Sequence, residues 1–264
     1  MPLRHPYRHH RQNEARRRAS PRPRRHGALF DGDDPALRQR LQEIHRRLCT
    51  TYGAPFPYFS DRDPLSELVS SMLSHRTRNE DARQAFENLQ ARFGDWQSLI
   101  EAPISAVQAA IAPCTWPEQK APRLQQVLTE VARRRDGELS LDFLATMAPA
   151  EARLWLESIP GIGPKTSATV LLFSRLRISA LPVDSHHHRV AQRLGLIPLE
   201  LNVGPAHAVL QAQLPDNWGA QSLHDHHEAM MTHGQRCCAW QNPACRRCPL
   251  LDLCPHGQQR TGHD

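Results

Sequence analysis

Lysine is almost absent from this 264-residue chain: 31 of its 33 basic side chains are arginines, and only Lys120 and Lys165 are lysines. Arginine stays charged and presents a planar fork, whereas a lysine can shed its proton when buried, so each amine position is a chemical choice. Aromatic residues make up only 6% of the chain. The longest apolar run, from Ala168 to Phe173 and broken by Thr169, is far short of the roughly 20 residues that cross a bilayer, which excludes a helical membrane span. Period-2 alternation is missing, and so is a glycine-rich strand-to-helix turn; sheet-based nucleotide-binding folds are therefore excluded. The N-terminus carries Arg and His where a secretory signal would be apolar. The expectation is a cytoplasmic protein with no membrane partner. In that reducing compartment, seven cysteines point to metal or catalysis before disulfides.

The charge is unevenly placed. Residues 1–30 hold nine Arg against one Glu, a net of +8, while the whole chain is +6, so the other 234 residues carry −2. The high isoelectric point is thus a property of the tail. Residues 1–33 have hardly any apolar material and cannot build a core. They read as a disordered extension, a basic arm attracted to nucleic acid, or both.

Helical spacing begins at Asp34-Pro35, an N-cap followed by proline at the first helical position, before Leu37, Leu41, Ile44 and Leu48. Asp63-Pro64 repeats the signal before Leu65, Leu68, Val69, Met72 and Leu73. Leu124, Val127, Leu128 and Val131 mark a further stripe, and prolines at 103, 117, 122, 149, 160, 164, 182, 198 and 205 punctuate short helices. The fold class is all-α.

Three motifs carry chemistry. Cys238, Cys245, Cys248 and Cys254 follow a Cys-x6-Cys-x2-Cys-x5-Cys spacing that can hold zinc or a [4Fe–4S] cluster; a single close pair flanked by lone cysteines favours the cluster. Cys237 reads as pointing away from that site, and Cys49 and Cys114 as small packed residues. Ile159-Pro160-Gly161-Ile162-Gly163-Pro164-Lys165-Thr166 places a Gly-x-Gly turn between two helices, either a tight connection or a turn whose amides face a phosphate. Nineteen residues past Lys165 comes Val183-Asp184-Ser185-His186-His187-His188. Here Asp184 can be a plain N-cap and the histidines a solvated run.

Together, and in this order, the motifs resemble the endonuclease III family of helix-hairpin-helix DNA glycosylases and abasic-site lyases, over residues 35–256. The resemblance implies two helical domains with a DNA cleft between them: a six-helix barrel with the hairpin at 57–177, and a cluster domain from 34–56 plus 178–264. It implies a [4Fe–4S] cofactor on the four cysteines. It also implies a monomer, nucleoid-associated in a bacterium, that excises oxidised pyrimidines from duplex DNA and cuts at abasic sites. Lys165 falls on the family's nucleophile and Asp184 on its carboxylate, with Gly161, Gly163 and His186 at the DNA. Adenine-specific relatives lack a lysine at the hairpin, which sets this chain with the lyases. Two positions depart from the pattern. Arg76 stands where the family has a Gln that fills the gap left by a flipped nucleotide, and Trp116 stands at or near the wedge that enters the stack, unless it is a core tryptophan. These departures leave open a DNA-binding protein with weak catalysis, or a glycosylase for another lesion or a mismatch.

Overall fold

The structure, a computed structural model, describes residues 34–58 and 61–262; the expectations for the tail at 1–33 lie outside the described residues. Among the described residues twelve α-helices follow in order: α1 (Pro35–Tyr52), α2 (Pro64–Ser74), α3 (Asn79–Phe93), α4 (Trp96–Glu101), α5 (Ile104–Ala110), α6 (Pro117–Arg134), α7 (Pro149–Glu157), α8 (Pro164–Phe173), α9 (Ser185–Arg193), α10 (Val203–Ala212), α11 (Ala220–Arg236) and α12 (Pro255–Thr261). No strand occurs among the described residues, as the missing alternation predicts. The Asp-Pro signals work as caps. Asp34 accepts from Ala36 N, and Asp63 accepts from Leu65 N and Ser66 N, satisfying amides that have no partner inside the helix.

Pro122 corrects one expectation. It lies inside α6 and does not end it. Lacking an N–H, it leaves the Glu118 carbonyl in the exposed first turn without its helical donor. The buried stripe of Ala121, Leu124, Val127, Leu128 and Val131 holds the helix straight through. The helices run from 6 residues in α4 to 18 in α1 and α6, so not all are short.

Apolar side chains gather in two clusters. One collects α2 to α8, from Leu65 to Leu171, with Ala180. The other joins α1 to α9, α10 and α11 and to the cysteine loops. Helix α8 is the shared wall: Leu171 packs into the first cluster and Leu172 into the second. Consecutive residues on a helix point about 100° apart, so one short helix can serve both sides only if it is apolar nearly all round. All seven residues from Thr166 to Leu172 are buried.

Leu171→Ala and Leu172→Ala should therefore each destabilise the protein by roughly 2–5 kcal/mol, the usual range for truncating a fully buried leucine. Denaturant unfolding measures both losses. A change below about 1 kcal/mol at either site would refute the two-sided packing of α8.

Candidate active site

A groove of about 990 Å³ opens where the two clusters meet. Its walls are the C-terminus of α2 and the loop after it, the turn before α6, the α7–α8 connection and the start of α9, closed at the back by α11. Five cationic side chains line it (Arg76, Arg78, Lys120, Arg123 and Lys165) against a single carboxylate, Asp184. The residues outside the tail carry a net −2, yet positive charge gathers here around one acid.

The α7–α8 connection positions the nucleophile candidate, and its two glycines do different things. Gly161 has φ +103, and a Cβ there would stand 3.0 Å from Arg123 Nε and 3.4 Å from Val127 Cγ2; only glycine takes this turn without strain. Gly163 is the N-cap of α8 with φ −104 and ψ 176, and a Cβ there would meet nothing within 4 Å. Its contribution is an open backbone at the helix's positive end. Lys165 follows as the second residue of α8, half-buried on the groove wall. Its Nζ makes no hydrogen bond or ion pair with the described residues. Burial pushes its pKa down, while Asp184 and Glu67 pull it back up.

Asp184 is both things its sequence context allows. One oxygen caps α9 by accepting from His187 N at 2.7 Å, and the carboxylate still lines the groove. The three histidines that follow do not form a solvated run, because successive helical residues diverge by about 100°. His186 lines the groove; its Nδ1 takes a hydrogen bond from Arg189 Nη2 at 3.1 Å. A guanidinium only donates, so the ring proton sits on Nε2 and His186 is a donor. His187 is buried with neither ring nitrogen partnered among the described residues, and His188 Nε2 donates to Leu201 O at 2.8 Å. Gly234 allows this packing: a Cβ there would stand 2.8 Å from His186 Cβ.

Arg76 and Trp116, expected on separate loops, meet at the groove's lip with the guanidinium 5.7 Å from the ring centroid. Trp116 is 44% exposed and is no core residue. Both have left-handed backbones, φ 52 and 55. Among the groove residues that sequence reasoning missed are two histidines. His75 Nε2 is 3.2 Å from Thr166 Oγ1. His227 donates from Nδ1 to Pro182 O at 2.9 Å and is held neutral by burial. Neither carries a local signal, since both arrive through packing between helices far apart in sequence.

Beyond the groove, Cys238, Cys245, Cys248 and Cys254 line one small cavity, as spaced cysteines holding a common group must. Polar hydrogens already converge on the sulfurs. Arg193 Nη1 lies 3.2 Å from Cys238 Sγ, Leu250 N 3.4 Å from Cys248 Sγ and Gly257 N 3.3 Å from Cys254 Sγ. A Cβ on Gly257 would crowd Leu251 Cδ1 at 3.1 Å and touch Cys254 Sγ at 3.5 Å. Cys237 departs from expectation: it faces the cavity, with Sγ within 4.8 Å of a His233 ring nitrogen and of Cys248 Sγ. It caps α11 with a non-helical backbone, φ −121 and ψ −53, so its side chain and that of Cys238 are no longer spread as on a helix. Cys114 is packed in the first cluster as expected, and Cys49 packs against the second.

Residues 69–202 match the HhH-GPD superfamily of base excision DNA repair proteins. An endonuclease III of Thermotoga maritima is 28% identical over 200 residues, spanning 76% of this chain and 86% of that protein. The endonuclease III of Bacillus subtilis is 26% identical over 199 residues, 75% and 84% of the two chains. Among solved structures, a trapped endonuclease III–DNA covalent intermediate matches 85% of this chain and 98% of its own, with a TM-score of 0.71 at 23% identity. This likeness shows the all-α fold, and the resemblance drawn from the motifs is borne out.

The two hairpin glycines should separate experimentally. Gly161→Ala should destabilise the protein by about 1–2 kcal/mol, because an L side chain is strained at positive φ. Gly163→Ala should stay within about 0.5 kcal/mol. Thermal or denaturant unfolding of the pair checks this, and equal losses would contradict the geometry of the turn.

Proposed function

As a member of the HhH-GPD superfamily of base-excision DNA repair proteins, a family of DNA glycosylases, the chain is, we propose, a glycosylase that removes oxidised pyrimidines from duplex DNA and then cleaves the strand at the abasic site through the Lys165 amine. The lesion class rests on the endonuclease III resemblance. The observation that carries the chemistry is the unpartnered Lys165 Nζ, on the wall of a cationic groove and within the field of Asp184. A lysine serving only structure would end on an acceptor.

A base inside a duplex is out of reach, so the nucleotide must leave the stack and enter the groove. Gly161, Gly163 and the α8 N-terminus hold its backbone phosphates, with the His186 Nε2–H as a further donor. Neutral Lys165 attacks C1′ of the sugar; the base leaves with the electron pair of the C1′–N bond, and the amine gives up a proton. The nitrogen lone pair then expels O4′, which takes a proton as the sugar ring opens, and the Schiff base so formed lets the C2′ proton and then the C3′ oxygen depart, breaking the strand. Asp184 steadies positive charge on the sugar and assists the proton transfers. Arginine could not replace Lys165, since a guanidinium stays protonated.

Cys238, Cys245, Cys248 and Cys254 would hold a [4Fe–4S] cluster; the shared cavity and the donors aimed at three of the sulfurs support that reading. There it would supply covalent cross-linking that keeps this small cysteine-rich segment folded. We propose the division into 57–177 and 34–56 plus 178–264 on the two apolar clusters. We also propose monomeric action on DNA in the cytoplasm, at the nucleoid of a bacterial cell.

Borohydride added during reaction with abasic-site duplex should trap a covalent complex, abolished in Lys165→Ala and Lys165→Arg. Because burial lowers the Lys165 pKa, trapping should rise with pH through a midpoint below the ordinary lysine value of about 10.4. Asp184 favours the charged amine, so Asp184→Asn should move that midpoint to lower pH while slowing base removal. Wild-type protein that binds abasic DNA yet never traps would favour a DNA-binding role instead.

Protein purified without oxygen should carry about four iron atoms per chain. Replacing any of the four cysteines by Ala should lower both iron content and solubility. Stoichiometric zinc in such a preparation would overturn the cluster.

A further inference from the structure

The chain's two lysines have opposite surroundings. Lys165 Nζ has no partner among the described residues, whereas Lys120 Nζ is saturated: it donates to Leu73 O at 2.5 Å, His75 O at 2.9 Å and Thr77 Oγ1 at 2.7 Å. We propose that Lys120 is the positioning residue of the groove's lip, fixing Arg76 and Trp116 as a pair that fills the gap left by an extrahelical nucleotide. This rests on the abasic-site reading above and adds the residue on which discrimination at that site depends.

The contacts bracket both strained residues. Arg76 lies between His75 and Thr77, and Lys120 Nζ holds one group on each side of it. Trp116 precedes α6, and its carbonyl accepts from the Lys120 backbone N–H at 3.1 Å. Thr77 Oγ1 also accepts from Thr115 N at 3.1 Å, which ties the Arg76 loop to the Trp116 turn through the same hydroxyl. A non-glycine residue at positive φ is unfavourable unless its neighbours over-determine it. Here two such residues, φ 52 and 55, stand together, with the Lys120 side chain anchoring both flanks of Arg76 and reaching the residue before Trp116 through the Thr77 hydroxyl.

The chemistry requires an ammonium. Leu73 O belongs to the last turn of α2, a carbonyl with no helical donor at the helix's negative end. Three acceptors converge on a single point, matching the three donors of an ammonium on a flexible stem. A planar guanidinium fork cannot direct its donors to that point. This accounts for the second lysine in a chain that uses arginine everywhere else.

The test compares equilibrium binding of abasic-site and undamaged duplex by wild type, Lys120→Met and Lys120→Arg, with borohydride trapping titrated against DNA concentration. Both variants should lose abasic-over-undamaged discrimination on the order of tenfold, the size of one lost stacking contact. Binding to undamaged duplex, dominated by phosphate contacts, should barely change for Lys120→Arg, which keeps the charge, and should fall for Lys120→Met by less than binding to the abasic duplex does. The DNA concentration for half-maximal trapping should rise about as much, while the plateau reached at saturation stays within about twofold. In a Trp116→Ala background, Lys120→Met should add no further loss, because the lip it positions is already gone. Should Lys120→Met fold poorly, Thr77→Val removes the shared hydroxyl alone and should cost about threefold in discrimination. Folded Lys120 and Thr77 variants with undiminished discrimination would overturn the inference, as would equal losses on both DNAs or additive losses with Trp116→Ala. A wild type that fails to distinguish the two duplexes would overturn it as well. A wild type that discriminates but never traps counts against Lys165 chemistry alone.

Discussion

An amine held partly out of water, at the positive end of a helix and without an acceptor, is the constraint around which the groove is built. Burial and the helix N-terminus both disfavour the charge on Lys165, and Asp184 and Glu67 partly restore it. Such a group is tolerable only where the surrounding fold is rigid. Helix α8 meets that need by being buried from Thr166 to Leu172 and by packing into both apolar clusters at once. The turn before it is equally committed, since Gly161 takes φ +103, a conformation in which an L side chain is strained.

The opposing wall depends on saturation. Lys120 uses all three of its donors on the last turn of α2 and the loop after it, and Thr77 Oγ1 passes the restraint on to the Trp116 turn. Asp184 is likewise fixed by His187 N, and His186 by Arg189. The groove thus confronts one deliberately unsatisfied amine with groups whose own hydrogen bonds are settled. An incoming polar substrate meets oriented partners and has little reorganisation to drive.

The cysteine cavity stands at the far side of the second cluster and braces the same helices. Arg193, on α9, reaches Cys238 Sγ and the carbonyls of Ala239 and Trp240. Arg40, on α1, binds the carbonyls of Leu194 and Leu253. A group holding the four sulfurs together would therefore also brace α9, the helix that Asp184 caps, and so link the cysteine segment to the groove.

Much was legible in the chain itself. Asp-Pro caps, the stripes on α1, α2 and α6, the hairpin, Asp184 and the four cysteines are local patterns, set by hydrogen bonding and burial within a few turns. The lysine count even marked Lys120 and Lys165 as special before any coordinates. It could not say that one is saturated and the other bare, because their partners and surroundings come from segments 43 to 47 residues away for Lys120 and from α2 and α9 for Lys165. Pro122 was misread because a long buried stripe outweighs one missing N–H, and Cys237 because a helix end changes where its side chain points. The division of the histidine triplet, the meeting of Arg76 with Trp116 and the gathering of five cations around one carboxylate were decided only by tertiary structure. Each depends on how helices distant in sequence approach one another, and no local pattern encodes that distance.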